Sequence, residues 1–468
     1  MRIAATLIVA LLTTISAPLP QAPRASIVTE HFAPDAARYQ YMSFTVSPGT
    51  TSITISYNFS GSEGSSVIDL GLFEPGPVPG VPVFRGYSGG AQRKIMVGER
   101  RSSPGYWPGP LRAGTWQALI GLYKVSPAGV DVTLTVTESH EEDTVPASAQ
   151  ASATRSEPAP KAREGWYSGA LHLHTTHSDG TLGPAALSEA AGAAGLDFIV
   201  VTDHNNTTHS VEAMPPAPLH IIGDEVTTPG GHASAWGLQD HSWLEFRIPP
   251  KDPGAPGAIK AIVDEAHHAG ALFAIDHPFD VCGGCSWDQV IPDALDALEI
   301  WNGEKGPQDR AIGLWDRLLR EGRRVTAVGA SDWHRPPAPI GSPAVRVFAS
   351  ALTEPAILDG LRQHRVIVMR DAKIAPPTIR AGCGSQHAGI GDSLTCAPAD
   401  DLSVQISMPE LPDGYADFIW NAVQMRSLRI GRGTTFTMPA GAGYLRVHVH
   451  AADGAIVAIT NPVYVAVR

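Results

Sequence analysis

Two histidines separated by one residue, His172 and His174, follow an apolar run at residues 167–171 and precede Asp179 in a polar loop. Because residues two apart on a strand face the same side, the two imidazoles are expected side by side. Imidazole and carboxylate ligands together suit Zn, Mn or Fe ions. A His-x-His pair alone can also be two polar residues on a solvent-exposed face of a strand. The prediction of a metal site therefore requires further ligands elsewhere in the sequence.

Four similar clusters follow along the chain, each a short apolar run that ends in His, Asp or Glu. Such runs are typical of buried parallel strands, and polar groups at the carboxyl ends of those strands form the active sites of α/β barrels. A core histidine explains any one cluster, but it does not explain all of them. The clusters end in Asp203 and His204, in Asp224 and Glu225 (with His232 just after), in Asp276 and His277, and in Asp332 and His334.

Three helix-like stretches lie between several of these runs, at residues 184–195, 256–270 and 307–322. Each begins with Pro and ends with Gly, which favour the first helical turn and the position after the last turn. Strands that alternate with helices and end in polar residues predict an α/β barrel. We place its boundaries at residues 166–375.

The His, Asp and Glu residues of these five clusters together resemble the metal-ligand pattern of the PHP (polymerase and histidinol phosphatase) superfamily of metal-dependent hydrolases. Residues 224–228 (Asp-Glu-Val-Thr-Thr) and 299–303 (Glu-Ile-Trp-Asn-Gly) look closest to its secreted carbaryl-hydrolase-like branch (CehA/McbA type). The resemblance covers roughly residues 166–370, and no ligand position of the pattern is missing. It implies a distorted seven-stranded (β/α) barrel with two or three divalent metal ions, Mn, Zn or Fe, at the strand ends.

The resemblance also implies which residues hold each ion. Glu225, Asp332 and His277 are expected at the catalytic centre, with Glu225 as a bridge that holds two cations about 3.5–4 Å apart. Metal coordination lowers the pKa of bound water from 15.7 to about 7, which provides hydroxide without a protein nucleophile. The implied ligands are His172, His174, Glu225 and Asp332 for the first ion, Glu225, His232 and His277 for the second, and Asp179, His204 and His334 for the third.

Three further polar residues near the strand ends have two possible roles. Asp203, Asp276 and Asn302 are candidates to orient the metal ligands through hydrogen bonds. The alternative for each is an ordinary capping or turn role.

The chain length of 468 residues predicts about three domains. Residues 26–140 alternate apolar and polar positions between Gly, Pro and Ser turns, which predicts an N-terminal β-sandwich or jelly roll. Residues 141–165 are rich in Ala, Ser and Pro and predict a flexible linker. Residues 376–468 predict a C-terminal β-sandwich, so the fold class is multidomain, α/β plus all-β. In this last domain apolar residues alternate with Arg446, His448 and His450, which predicts that these histidines lie on a solvated face.

The N-terminus has the pattern of a secretory signal peptide. Arg2 precedes an apolar run at residues 3–12, and small residues and Pro follow to about residue 25. The run is shorter than the approximately 20 residues of a membrane span, although a short uncleaved anchor is the alternative. We therefore expect a secreted or periplasmic protein with no membrane span after signal cleavage.

The four cysteines can all pair locally, Cys282 with Cys285 and Cys383 with Cys396. An oxidising compartment favours disulfides over free thiols, so export predicts both pairs. Cys282 and Cys285 could instead form a redox pair or half of a zinc site.

The net charge and the chemistry of the candidate ligands together limit the classes of function that fit the sequence. The net charge of −12 and the absence of a basic tract argue against a nucleic-acid-binding surface. We predict a hydrolase of small-molecule esters, first a phosphoesterase, because a multimetal cluster can clamp phosphoryl oxygens during in-line attack. Arg335, next to His334, could bind the substrate anion or could simply solubilise a Pro-rich loop. The alternatives are a carbamate or carboxylic ester hydrolase, and a non-catalytic binding protein whose flanking β domains contact the cell envelope.

Overall fold

A computed structural model describes the chain over six stretches. The predicted signal peptide up to residue 23, most of the predicted linker and Cys282 lie outside the described residues. Within them the protein is mixed α/β, with many strands and few helices. No helix in the described part is both long and apolar enough to cross a membrane. The described stretches are residues 24–62, 64–141, 163–248, 254–281, 285–430 and 433–468.

The first eight strands are β1 (Arg24–Phe32), β2 (Tyr39–Val46), β3 (Ser52–Phe59), β4 (Val67–Pro75), β5 (Pro82–Gly89), β6 (Lys94–Gly98), β7 (Gly114–Lys124) and β8 (Val130–Ser139). They form two four-stranded antiparallel sheets in the orders β1-β8-β3-β6 and β2-β7-β4-β5. Alternate residues such as Ile53, Ile55 and Tyr57 on β3 are buried, which is the period of a strand with one face on a core. Residues of both sheets share that core.

The next nine strands are β9 (Gly165–Ala170), β10 (Phe198–Val201), β11 (Leu219–Thr228), β12 (Gly231–Trp236), β13 (Leu272–Ile275), β14 (Ala297–Asn302), β15 (Thr326–Ala330), β16 (Ala344–Ala349) and β17 (Val366–Met369). Their order in the sheet is β15-β14-β13-β12-β11-β10-β9-β16-β17. Two parallel sets, β9 to β11 and β13 to β15, are joined by the antiparallel strand β12. The carboxyl ends of the strands in each set therefore point the same way.

Three helices confirm the predicted stretches to within a few residues, and a fourth was not predicted. The helices are α1 (Pro184–Ala193), α2 (Ala255–His268), α3 (Asp309–Arg320) and α4 (Glu354–Arg362). A proline occupies the first turn of α1, α2 and α4, where the missing N–H has no intrahelical partner to lose. In the described stretches, two short 3₁₀ helices lie at Thr208–Val211 and Gly303–Lys305.

A closed seven-stranded barrel is absent from the described residues, because β15 and β17 do not pair through their backbones. A later strand, Ile456–Thr460, pairs with β17 instead, and the fully buried side chain of Asn461, the next residue, lies between β15 and β17. Its Nδ2 donates to the carbonyls of Ala327 (2.8 Å) and Val366 (3.1 Å), and its Oδ1 accepts from the N–H of Ala327 (2.8 Å). The amide thus satisfies backbone groups that a strand ladder would otherwise pair. No local sequence pattern predicts this contact, because Asn461 is separated from Val366 by 95 positions in the chain.

The remaining strands are β18 (Thr378–Cys383), β19 (Gln386–Ala388), β20 (Ser393–Cys396), β21 (Asp401–Ser407), β22 (Tyr415–Trp420), β23 (Val423–Arg429), β24 (Thr434–Pro439), β25 (Gly443–His450), β26 (Ile456–Thr460) and β27 (Val463–Val467). One four-stranded sheet has the order β19-β18-β21-β24, whereas β26 pairs with β17 and continues the long central sheet. The predicted disulfide between Cys383 and Cys396 is confirmed.

The predicted solvated face of β25 is wrong. Arg446 is only 3% exposed, and His448 and His450 are each 9% exposed. Helix α3 covers Arg446, whose Nη2 lies 2.7 Å from Oδ2 of Asp316, and the ring of His450 stacks on Tyr415. Alternation along a strand indicates two faces, but it does not show what packs against each face.

We predict that Asp316→Ala destabilises the protein by about 3–5 kcal/mol, because it leaves Arg446 as a buried charge without a partner. The control is Asp264→Ala, which removes the partner of Lys260 from an exposed ion pair and is expected to cost about 1 kcal/mol or less. Chemical denaturation of both variants measures the difference. Equal losses would show that the buried pair is not important for stability.

Candidate metal centre

The nine residues predicted as metal ligands converge at the strand ends of the central sheet. Within each of four overlapping groups, the candidate ligand atoms lie within 4.8 Å of one another. The groups are His174, Asp179, His204 and His334; His172, His277 and Asp332; His172, His174 and Glu225; and His204, Glu225 and His232.

Glu225, a buried residue of β11, lies at the centre of the site. Its carboxylate contacts five imidazoles, so the two oxygens face different groups of ligands. Oε2 lies 3.3 Å from Nε2 of His172, 3.3 Å from Nε2 of His174 and 2.8 Å from Nδ1 of His204, and Oε1 lies 2.8 Å from Nδ1 of His232 and 3.3 Å from Nε2 of His277.

The geometry of one ion position is clearest at His172, His174 and Asp332. The Nε2 atoms of the two histidines are 3.1 Å apart, and they lie 3.3 and 3.1 Å from Oδ1 of Asp332. Oε2 of Glu225 completes a set of four atoms at similar spacing. Four ligands at about 2.0–2.2 Å from one tetrahedral ion are separated by about 3.3–3.6 Å, so these residues fit a divalent transition metal.

A second group surrounds Asp179, whose Oδ1 lies 3.2 Å from Nε2 of His334 and 3.5 Å from Nε2 of His204. The opposite nitrogen of each ring has its own partner. Nδ1 of His204 lies 2.5 Å from the hydroxyl of Thr227, and Nδ1 of His334 lies 2.9 Å from the carbonyl of Asp332. Hydrogen bonds of this kind set the orientation of a ligand histidine, and here both rings present Nε2 to Asp179.

His232 and His277 face the other oxygen of Glu225. Nε2 of His232 and Nδ1 of His277 are buried and form no hydrogen bond with the described residues. Buried polar atoms without partners are rare in native proteins. Lone pairs of this kind are suited to cations, which is a further sign that the residues fit metal ions.

The charges in the site shift several pKa values strongly. Burial lowers the pKa of His204, but the negative charges of Glu225 and Asp179 outweigh burial and raise it to about 10. Burial also lowers the pKa of His277, and its hydrogen bond with Glu225 and the charge of Asp332 raise it to about 9. Burial raises the pKa of Glu225, yet the imidazoles of His204 and His172 hold it well below its usual range. Without bound ions, protons therefore partly balance the carboxylates.

Two of the ligands adopt backbone conformations that side-chain-bearing residues rarely adopt. The φ angle is 46° at Asp332 and 22° at His277. Strained residues of this kind cluster at functional sites, where the surrounding structure holds them. Each lies just beyond the end of a buried strand, and the turn directs its side chain into the site.

Glu299 on β14 is a site residue that the sequence reasoning missed. It is buried, its Oε2 accepts from the backbone N–H of His277 (2.9 Å), and its Oε1 accepts from Nδ2 of Asn302 (3.1 Å). Asn302 also donates to Oδ2 of Asp332 at 3.3 Å, which supports its predicted orienting role. A carboxylate inside the apolar run at residues 297–302 was the available signal.

Asp203 and Asp276 form hydrogen bonds with residues close in sequence to the candidate ligands. Asp203 accepts hydrogen bonds from the N–H and hydroxyl of Thr175 and from the hydroxyl of Ser178, all at 2.7 Å. These bonds hold the loop that leads to Asp179. Asp276 accepts from the hydroxyl of Ser234 (2.7 Å), and burial raises its pKa to about 8.

A cavity of about 660 Å³ opens above these residues. Asp179, His204, Glu225 and Asp332 line its base, and the N-terminal sheets form part of its wall. Arg335, proposed from sequence as an anion-binding residue, is exposed and does not line the cavity. Lys305 is the only Lys or Arg that does so within the described residues.

Comparisons with known proteins give partial similarities. No protein-family model matches the sequence, and no curated protein matches it. The chain is similar to a solved two-domain protein from Bacteroides vulgatus that contains a predicted PHP-like metal-dependent phosphoesterase, with 17% identity and a TM-score of 0.37 over 64% of this chain and 96% of that chain. It is also similar to an amidohydrolase from Chromobacterium violaceum with bound sulfate and no metal, with 16% identity and a TM-score of 0.26 over 36% of this chain and 88% of that chain. Similarity at this level does not assign an activity, so the activity must be inferred from the chemistry of the site.

We predict that chelator-treated protein loses stability as the pH rises from about 6.5 to 10. In this window the folded chain keeps protons on His204 and His277, whereas histidine in the unfolded chain, with a pKa of about 6.5, has lost them. Stability falls with pH wherever the folded state binds more protons. Thermal melts at pH 7 and 9.5 measure the loss. It should be smaller in metal-loaded protein, because coordinated imidazoles carry no such proton.

A second prediction concerns Glu225→Gln. The variant lacks the negative charge between the ligand groups, so the content of tightly held metal should fall from two or more ions per chain to one or fewer. The kcat/KM for ester hydrolysis should fall at least about 100-fold. The secondary structure should be preserved. Elemental analysis after reloading with Mn or Zn and desalting measures the content. The matched control is Glu265→Gln on the outer helix α2. Full metal content in Glu225→Gln would exclude the bridging role.

Proposed function

We propose that the protein is a metal-dependent hydrolase of PHP type, and that its substrates are phosphate esters. The observation that carries the proposal is the arrangement of imidazoles and carboxylates around Glu225 at the base of an open cavity. A purely structural histidine cluster would be covered by protein. This cluster reaches a space that a small molecule can enter.

His172, His174, Glu225 and Asp332 are the proposed ligands of one ion, and Glu225 is shared with the site of a second. Bound divalent ions supply Lewis acidity and lower the pKa of a coordinated water to about 7. The chain itself provides orientation. Asn302 donates to the outer oxygen of Asp332, so that the other oxygen faces the imidazoles.

The third proposed position uses Asp179, His204 and His334. Ions held by these residues and by the two other ligand groups would supply positive charge to a phosphoryl group, whose charge is spread over its equatorial oxygens in the transition state. Lys305 at the cavity edge adds an exposed positive charge, 4.0 Å from Oδ2 of Asp280. This match of several cations to several oxygens supports phosphate esters as the first choice.

Hydrolysis of a carbamate or carboxylic ester is the second candidate. One feature of the cavity favours it, because Lys305 is the only Lys or Arg among its described lining residues and Val67 and Tyr123 contribute apolar surface. A neutral ester needs one polarised carbonyl oxygen and no cationic pocket. The same ligand set would serve either reaction.

We also propose that the protein is exported. The disulfide between Cys383 and Cys396 supports this, since disulfides persist mainly in oxidising compartments. The signal-peptide pattern of residues 1–25 agrees with it.

The test compares hydrolysis of p-nitrophenyl phosphate, its diester and a naphthyl carbamate by metal-loaded protein, with inorganic phosphate as inhibitor. We expect phosphoester turnover and competitive inhibition by phosphate. Lys305→Ala should weaken that inhibition about 2-fold to 5-fold, the range for an exposed charge. Arg335→Ala, which removes an arginine outside the cavity, is the control and should not weaken it. Carbamate turnover without any phosphoester turnover would replace the first candidate by the second.

A further inference from the structure

Strands of the N-terminal sheets form the wall of the cavity opposite the metal-ligand residues. Asp69 on β4, Tyr87 on β5 and Tyr123 on β7 line the cavity together with the turn at residues 88–91. Nothing in the sequence linked these residues to the metal ligands, because they precede His172 by a long stretch of chain. The cavity is therefore built from two parts of the sequence.

This wall is packed firmly against the central sheet. Phe84 of β5 stacks on Trp243 with ring centroids 4.6 Å apart, and Tyr87 contacts Phe246 edge to face at 5.0 Å. These aromatic residues belong to a hydrophobic core that includes strands of both parts. An N-terminal module that bound a separate partner would not need this shared core.

Hydrogen bonds also connect the wall to the loops that carry ligands. The N–H of Gly105 donates to Nδ1 of His177 at 3.2 Å, and Nδ2 of Asn206 donates to the carbonyl of Tyr87 at 3.3 Å. His177 is two residues before Asp179, and Asn206 is two residues after His204. The distance between the wall and the metal-ligand residues is thus set by direct contacts.

The wall offers carboxylate oxygens that can accept hydrogen bonds from a ligand. The hydroxyl of Tyr87 donates to Oδ2 of Asp69 at 2.8 Å, and Asp69 is partly exposed where it lines the cavity. Its Oδ1 can accept a hydrogen bond from a ligand. Asp280 adds a second carboxylate to the lining. A second anionic group on the substrate would be repelled by these carboxylates, whereas a hydroxyl group can donate a hydrogen bond to Oδ1 of Asp69.

We propose that the Asp69–Tyr87 pair selects substrates whose leaving group carries a hydroxyl near the scissile ester bond, as in the phosphate ester of a polyol or sugar. The inference rests on the proposed phosphoesterase function for the reacting group, and it adds the recognition of the leaving group. The volume of about 660 Å³ is within the range of small-molecule pockets and exceeds the needs of a phosphate ion alone. Asp69 and Tyr87 are specificity residues here, since neither touches the proposed metal positions.

The experiment uses a matched pair of esters, glycerol 1-phosphate and propyl phosphate, which differ only in their hydroxyl groups. We expect metal-loaded protein to prefer glycerol 1-phosphate in kcat/KM by about 10-fold or more, as expected for a hydrogen bond to a charged acceptor. Asp69→Ala and the nearly isosteric Asp69→Asn should each reduce this ratio, Asp69→Ala to about 1. A loss of folding would lower both rates and leave the ratio unchanged.

Calorimetric titration of the two corresponding phosphonates, in which a methylene group replaces the ester oxygen and prevents hydrolysis, reports the preference in metal-loaded protein without turnover. The control variant is Asp35→Ala, an exposed carboxylate in the same N-terminal region, which should retain the wild-type ratio. A binding preference that depends on Asp69, with no hydrolysis of either ester, would support the wall and reject the phosphoesterase proposal. Equal binding of the two phosphonates, or a preference that Asp69→Ala leaves intact, would overturn the inference.

Discussion

A single carboxylate buried among five imidazoles is the constraint on which the rest of the structure depends. Glu225 can be ionised in the interior only because positive charge, from protons or from metal ions, surrounds it. The histidines around it come from separate strand ends, so the sheet must bring those ends together. The arrangement of strands, the strained turns and the supporting hydrogen bonds all serve this requirement.

The parallel sets of strands explain how the requirement is met. In each set the carboxyl ends reach the same edge, and β12 returns antiparallel to place His232 beside Glu225. Two residues that follow strands, His277 and Asp332, turn into the site through left-handed backbone conformations. Contacts behind the ligands, from Glu299 and Asp203 among others, hold these turns in place. Such supporting contacts restrict the ligand side chains, which reduces the reorganisation that ion binding needs.

The residues with chemical function were largely predictable, whereas their surroundings were not. His172, His174 and Glu225 stand at the ends of apolar runs, and local sequence is sufficient to recognise such positions. Helices marked by Pro and Gly were predictable for the same reason. Asp69 and Tyr87 reach the cavity only through tertiary packing, which leaves no periodic signal in the chain.

The error at β25 has the same physical origin. A strand pattern records which residues alternate, and the identity of the covering element is a long-range fact. Arg446 was predicted to be solvated because its partner, Asp316 on α3, is distant in the sequence. The contact of Asn461 with β15 and β17 was equally unpredictable, since it joins residues that are far apart in the chain.

That asparagine has a consequence for the order in which the central sheet forms. Asn461 is separated from Ala327 by 134 positions in the chain and from Val366 by 95. Contacts between residues so far apart carry a loop-closure cost before they stabilise the fold. More local strand pairs, such as β16 with β17, are therefore expected to form first. The join between β15 and β17 through Asn461 is thus a late step in folding.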